Sequence, residues 1–211
     1  MTGGSEAPRE GPSALSKIAA GGLSKAISGN PKGNRVATDR IRGDFRIFAS
    51  IMKQRILFVC LGNICRSPAA EGIMRRLVDE NGLSGEITVD SAGTYGGHAG
   101  DLPDSRMRRA ASRRGYELTH RARRIRESDF EEFDMIVVMD DMNYESVHRL
   151  APSRQFAEKI FRMVEFCPSF PDRSYVPDPY YEGHEGFELV LDMLEDGCRG
   201  ILEYLEQSEK A

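Results

Sequence analysis

Residues 56–59, Ile-Leu-Phe-Val, form an unbroken apolar run that leads straight into Cys60, and Ser67-Pro68 follows after one short loop. A run this apolar fits a strand covered on both faces, the place of a central strand in a parallel sheet. Ser67-Pro68 predicts an N-cap with proline at the first helical position, Ala69 to Val78 continues that helix, and Asn81-Gly82 stops it. Strand, tight loop and helix in succession confine the chain to α/β architectures. The remaining pattern agrees. Ile87–Val89 predicts a second strand, Ser105–Arg114 a helix closed by Gly115, Met135–Met139 a third buried strand and Lys159–Val164 a fourth. A final helix over Glu185–Glu206 sets Phe187, Val190, Leu191, Leu194, Cys198, Ile201, Leu202 and Leu205 on one stripe. With right-handed crossovers, the expected fold is a doubly wound four-stranded parallel sheet with helices on both faces, in a single α/β domain. Ligands are then expected at the carboxyl ends of the strands.

That domain is expected over residues 53–208, with residues 1–52 a disordered N-terminal extension. The extension is rich in Gly, Ser, Ala and Pro, and Leu15, Ile18, Leu23 and Ile27 are too sparse to bury much surface. An upstream-extended start accounts for it, and import into an organelle is the alternative. The net charge of −4 offers no global field for nucleic acid, so any anion site must be local. No apolar run approaches the roughly 20 residues that cross a bilayer. The cysteines at 60, 65, 167 and 198 read as reduced thiols in a chain without an export signal, which points to the cytoplasm.

The stretch Cys60-Leu61-Gly62-Asn63-Ile64-Cys65-Arg66-Ser67-Pro68 carries the chemistry. A loop between a strand end and a helix N-terminus can wrap a tetrahedral oxyanion with its amides and the positive end of the helix dipole. The same field favours the anionic form of a sulfur at its centre. Arg66 offers a planar fork for two phosphoryl oxygens, which lysine cannot reproduce. Gly62 and Asn63 are the residue types that most easily take positive φ in such a loop. Cys60 alone would read as a buried structural thiol; in register with Arg66 and Ser67-Pro68 it reads as a nucleophile inside a phosphate cradle. No Lys-Ser or Lys-Thr pair follows, as a nucleotide loop requires, and Cys60 and Cys65 lack zinc-ligand spacing. No metal and no cofactor are expected.

This loop resembles, residue for residue, the signature of the low-molecular-weight protein tyrosine phosphatases. Val176-Pro177-Asp178-Pro179-Tyr180-Tyr181 is similar to the family's acid loop, and the likeness runs from about Met52 to Tyr204. The resemblance implies metal-independent hydrolysis of phosphotyrosine through a phosphocysteine intermediate, with Cys60 as nucleophile, Arg66 binding the phosphoryl group and Asp178 as general acid. It implies that Ser67 donates to the Cys60 sulfur, and that Asn63, Ser91 and His120 support the loop. Asp140 matches a position near that loop. Tyr180 and Tyr181 are expected to wall a deep slot with Leu61 and Ile64, and Cys65 matches a reversible disulfide partner of the catalytic sulfur. The implied partners are phosphotyrosine-containing proteins, with no nucleic acid or membrane, acting on a monomer or weak dimer. One position departs from the pattern: many members carry a large aromatic where this chain has Gly97, with Tyr95 and His98 alongside.

Other readings of the same loop are a protein arginine phosphatase, an arsenate reductase and a non-catalytic phosphate-binding module. The first tends to carry threonine at Ile64 and phenylalanine at Tyr180. The second needs redox cysteines after the third strand, where this chain has none. The third leaves Cys60 and Asp178 without a purpose. Taken without the loop, Asp178 is an ordinary turn residue between prolines and His120 an ordinary histidine; Arg121-Ala122-Arg123-Arg124-Ile125-Arg126 reads as a solvated face, with recruitment of acidic phosphopeptides the alternative.

Overall fold

A computed structural model describes residues 53–209, so the extension expected over 1–52 lies outside the described residues. The chain runs β1 (Gln54–Cys60), α1 (Arg66–Glu80), β2 (Ile87–Gly93), α2 (Ser105–Arg113), α3 (Asp129–Glu132), β3 (Met135–Val138), α4 (Asp141–Leu150), α5 (Arg154–Ala157), β4 (Ile160–Arg162) and α6 (His184–Glu209). Single 3₁₀ turns fall at Met163–Phe166 and Pro179–Tyr181. The strands make one sheet in the order β2-β1-β3-β4, parallel throughout, as expected from the alternation of strands and helices.

The apolar run in β1 is explained by its central place. Ile56 and Phe58 pack on one face with α1 and α6 residues such as Ile73, Met74, Leu191 and Leu194. Leu57 and Val59 pack on the other with Phe130, Ile136, Val138 and Val147. Every residue of the stripe expected on α6 is buried. Covering both faces leaves the carboxyl edge of the sheet as the place where the backbone can open to a ligand.

Two local expectations are corrected. Helix α1 begins at Arg66 with Cys65 at its N-cap and no side-chain cap, so Ser67 is inside the helix and Pro68 is its third residue. Ser67 does not cap because its hydroxyl is engaged below the loop, as described in the next section. The fourth strand spans only Ile160–Arg162, because the chain winds into a 3₁₀ turn from Met163. Helix α2 is capped by Asp104, whose side chain accepts from the Arg106 amide, and the chain leaves α2 through Gly115 at φ +82°.

Just past α2, Arg114 joins it to α6, reaching Glu188, Asp192 and Glu195 at 2.6, 2.6 and 3.2 Å, while Arg113 also reaches Glu188 at 2.8 Å. Hydrogen bonds from Arg113, then Arg114, hold the Glu188 carboxyl below the ordinary glutamate range despite partial burial. A depressed folded-state pKa stabilises the protein above the unfolded value, and that contribution disappears as pH falls through the folded value. Glu188→Gln should therefore cost up to about 1 kcal/mol at neutral pH. Thermal melts should show the wild-type advantage vanishing below about pH 4; a gap independent of pH would contradict the assignment.

Candidate active site

The carboxyl edge of β1 delivers Cys60 into the loop 61–65, and Cys60 is 2% exposed. Its sulfur lies 3.1 Å from Ser67 Oγ and receives the Asn63 amide at 3.3 Å. The loop carbonyls point away from it. Those of Cys60 and Leu61 accept from the Thr94 and Tyr95 amides, that of Ile64 from Asp104, and that of Cys65 from Ala69.

Asn63 is the one non-glycine residue with positive φ among the described residues, at 55°. A left-handed backbone at asparagine is sustained only when its surroundings hold it. Here they do. Its Nδ2 donates to Ser67 Oγ and Ser91 Oγ, both at 2.9 Å, and its Oδ1 accepts the Arg123 amide at 2.9 Å. With Nδ2 donating twice, Oδ1 is the acceptor, so His120 Nε2 at 3.0 Å carries the proton. Ser91 in turn donates to Glu71 Oε2 at 2.6 Å, and His120 Nδ1 lies 3.1 Å from that oxygen and 3.5 Å from Asp90 Oδ1. The Ser67 hydroxyl accepts from Asn63, leaving its single proton for the Cys60 sulfur or the Ala92 carbonyl, 3.2 Å away. Asn63 and Ser67 are thus buried supports beneath the loop and do not line the open slot.

Strand β2 can approach this closely because Gly93 pairs with Cys60. A Cβ at Gly93 would lie 2.7 Å from the Leu61 carbonyl and 3.0 Å from the Asn63 amide.

Arg66 is 2% exposed. Its Nη1 donates to Asp140 Oδ2 at 2.6 Å and to the Val176 carbonyl at 3.2 Å, and its Nη2 to Asp178 Oδ2 at 2.5 Å. Burial opposes its charge, but Cys60, Asp178 and Asp140 outweigh burial and hold the guanidinium above its ordinary pKa. Its Nε is buried with no partner. Asp140 does two things at once: Oδ1 caps α4 by accepting the Asn143 amide, while Oδ2 clamps Arg66. The acid loop is fastened where the Val176 amide donates to the Met139 carbonyl, beyond β3. Asp178 Oδ1 accepts from the Tyr180 amide, and the Asp178 side chain is 37% exposed.

These pieces enclose a slot of about 250 Å³ lined by Cys60, Leu61, Gly62, Ile64, Cys65, Arg66, Tyr95, His98, Asp178, Tyr180 and Tyr181. The expected wall residues are all present, Tyr181 standing 93% exposed at the rim. Arg106 stacks between Tyr180 and Phe187, 5.2 and 5.1 Å from their centroids. A Cβ at Gly97 would meet the Tyr95 ring as it stands, so a larger residue there requires that exposed side chain to move. The glycine makes room for Tyr95, which meets His98 edge-on. Burial, with Asp104, Cys60 and Asp178 adding to it, pushes the Cys65 thiol far up. Cys167 is pushed up to about 12 by burial, and Cys198, also buried, is held well up too. All four cysteines are free.

Sequence reasoning did not single out Glu71 or Asp90. Glu71 is 2% exposed on a helix whose other buried residues, beyond Arg66 at its start, are small or apolar. A lone carboxylate on an apolar helix face is the signal that marks it.

Comparison with known proteins agrees with this architecture. Residues 55–211 match the family described as low molecular weight phosphotyrosine protein phosphatase. A Synechocystis protein carrying the family's name is 49% identical over 148 residues, spanning 70% of this chain and 94% of its own. A protein tyrosine phosphatase from Entamoeba histolytica, crystallised with Hepes in its active site, superposes with a TM-score of 0.72 at 44% identity, covering 74% of this chain and 99% of that one. The Bacillus subtilis protein YfkJ superposes at 0.69 with 38% identity, over 75% and 98% of the two chains. Among the described residues no helix is long and apolar enough to cross a membrane. The family match covers most of the chain, and relatives at 38–49% identity are spanned almost in full: the chain belongs to the low molecular weight protein tyrosine phosphatases and is a phosphoric monoester hydrolase acting on phosphoproteins.

Proposed function

We propose that Cys60 is the nucleophile, Arg66 the phosphoryl-binding cation and Asp178 the general acid and base of phosphotyrosine hydrolysis. The observation that carries this reading is Arg66: a buried guanidinium held by two carboxylates beside the sulfur, with its Nε donor left unpaired. A buried donor without an acceptor is costly, and an oxygen of the bound phosphoryl group satisfies it.

In the first step the Cys60 sulfur attacks phosphorus, the bond from phosphorus to the tyrosine oxygen breaks, and Asp178 gives its proton to the departing phenolate. In the second, Asp178 takes a proton from water as that water attacks phosphorus. The sulfur–phosphorus bond breaks, and inorganic phosphate is released. The Ser67 hydroxyl donates to the sulfur as it leaves with the electron pair. Dividing the reaction lowers each barrier. The loop amides and the N-terminus of α1 hold the equatorial oxygens while charge moves, with no reorganisation required. Asn63, Ser91 and His120 act through the loop by holding its shape. A slot walled by Tyr95, Tyr180, Leu61 and Ile64 takes a phenyl ring, and the buried depth of Cys60 favours phosphotyrosine over shorter phosphoserine.

The substrates we propose are phosphotyrosine-bearing proteins in the cytoplasm, in keeping with four free thiols. The slot is complete within one chain, which supports action as a monomer or weak dimer. The catalytic domain is taken as residues 53–208, with residues 1–52 an appendage to it. Cys167 and Cys198 are tied to backbone carbonyls in the core, which argues against the redox relay of an arsenate reductase.

Asp178→Asn tests the acid. Its kcat/KM, which reads the first step, should fall by about 10²- to 10⁴-fold for phosphotyrosine peptides and much less for p-nitrophenyl phosphate, whose leaving group needs little protonation. Equal losses across leaving groups would remove Asp178 from the role.

A further inference from the structure

A second concavity, of about 800 Å³, is built against the loop that walls the slot. Tyr95 and His98 line the slot, while Thr94 and Ala99, which bracket them in sequence, line this groove. Arg124 connects the two. Its backbone bridges Gly93 at the end of β2, and its side-chain Cδ lies 3.4 Å from where a Cβ on Gly96 would begin. Arg124, Arg126 and Arg149 give the groove its charge, and Glu127 is the carboxylate on its wall.

Among the described residues, two of those arginines have no carboxylate partner. Arg123 in the same stretch is taken by Asp90 and Asp129 at 2.8 and 2.9 Å. Arg124 and Arg126 are exposed and, among the described residues, make no ion pair or side-chain hydrogen bond. Arg149 is loosely paired, with Glu145 at 3.6 Å and Ser146 Oγ at 3.4 Å, and its side chain is 70% exposed. A cluster of unpaired guanidinium groups in a concavity is complementary to carboxylates. An extended peptide advances about 3.3 Å per residue. One leaving the slot over Tyr95 therefore meets Thr94 and Arg124 within a few residues of the phosphotyrosine.

We infer that this groove binds an acidic segment flanking the phosphotyrosine, so that the enzyme selects carboxylate-rich phosphopeptides. The inference rests on the slot reading given above and adds the class of substrate to it. The arginines are a specificity surface outside the reacting centre.

The experiment compares phosphotyrosine peptides bearing Glu two to four residues before, or two to four residues after, the phosphotyrosine with their Gln counterparts. For one flank, wild-type kcat/KM should favour Glu by roughly three- to tenfold, and the preference should shrink as salt rises. Arg124→Gln combined with Arg126→Gln should erase the preference while leaving p-nitrophenyl phosphate turnover unchanged; the matching Lys pair should keep most of it. Binding of fluorescein-labelled peptides to Cys60→Ser should show the same order without chemistry. Equal treatment of Glu and Gln peptides on both flanks, or a preference that survives the double Gln variant, would overturn the inference. Failure of the wild type to hydrolyse p-nitrophenyl phosphate would instead count against the catalytic reading, because that ester does not reach the groove.

Discussion

Cys60→Ser should abolish turnover, lowering kcat by about four orders of magnitude or more, while phosphate and vanadate still bind. The substitution keeps the side chain's size but replaces a polarisable sulfur with a hydroxyl that has no base beside it. Among the described residues the hydrogen bonds of Cys60 run to Ser67 Oγ and the Asn63 amide, neither of which is a base for a serine hydroxyl. The oxyanion-binding parts, the loop backbone and Arg66, remain. Steady-state kinetics with p-nitrophenyl phosphate and calorimetric titration with vanadate check the two halves separately. Activity near the wild-type level would remove Cys60 as nucleophile, and loss of anion binding along with turnover would mean that the loop itself had collapsed.

Arg66→Lys should be nearly as damaging, with kcat reduced by about 10²- to 10³-fold or more and anion affinity weakened as well. Charge is retained, so a purely coulombic role would survive. The geometry argues otherwise. The guanidinium spans Asp140 on one nitrogen and Asp178 on another, and presents Nε besides. An ammonium offers one point in place of that fork. It would leave at least one of the two carboxylates unpaired near the place where a phosphoryl dianion must sit. Asp178 would also lose the contact that orients its Oδ2. The kinetics of Arg66→Lys, read beside a melting curve to show that it is folded, test this; a kcat within a few-fold of wild type would refute the fork.

The sheet and the principal helices were legible because their signals are local and redundant. The run 56–59 demanded coverage on two faces, and β1 has it. The stripe on α6 demanded a core, and every residue of it joins the cluster that holds Ile56 and Phe58. The start of α1 was misread for a physical reason. Ser67-Pro68 has the look of a cap, yet the hydroxyl is committed to Asn63, Cys60 and Ala92, contacts with residues that only the folded loop brings together. Likewise Asp140 was ambiguous between capping a helix and serving the site, and it does both through different oxygens.

The residues proposed to react were legible because Cys60 and Arg66 share one loop and the resemblance singles out Asp178 in the Pro-Asp-Pro segment. Their support was legible only through the resemblance, which named Asn63, Ser91 and His120 but neither Glu71 nor Asp90. Glu71, Ser91, Asp90, His120 and Asn63 come from α1, β2, a loop and the catalytic loop, and their hydrogen bonds join positions up to 57 residues apart. No spacing rule links them.

The most direct test of the account is to find the phosphoryl group in transit. Asp178→Asn should slow the second step as well as the first, and with a good leaving group such as p-nitrophenol the intermediate should then accumulate. Rapid quenching of that variant during turnover, followed by mass spectrometry of its peptides, should place one phosphoryl group on the sulfur of Cys60. Phosphate on another residue, or turnover with no phosphorylated enzyme at any quench time, would contradict the mechanism.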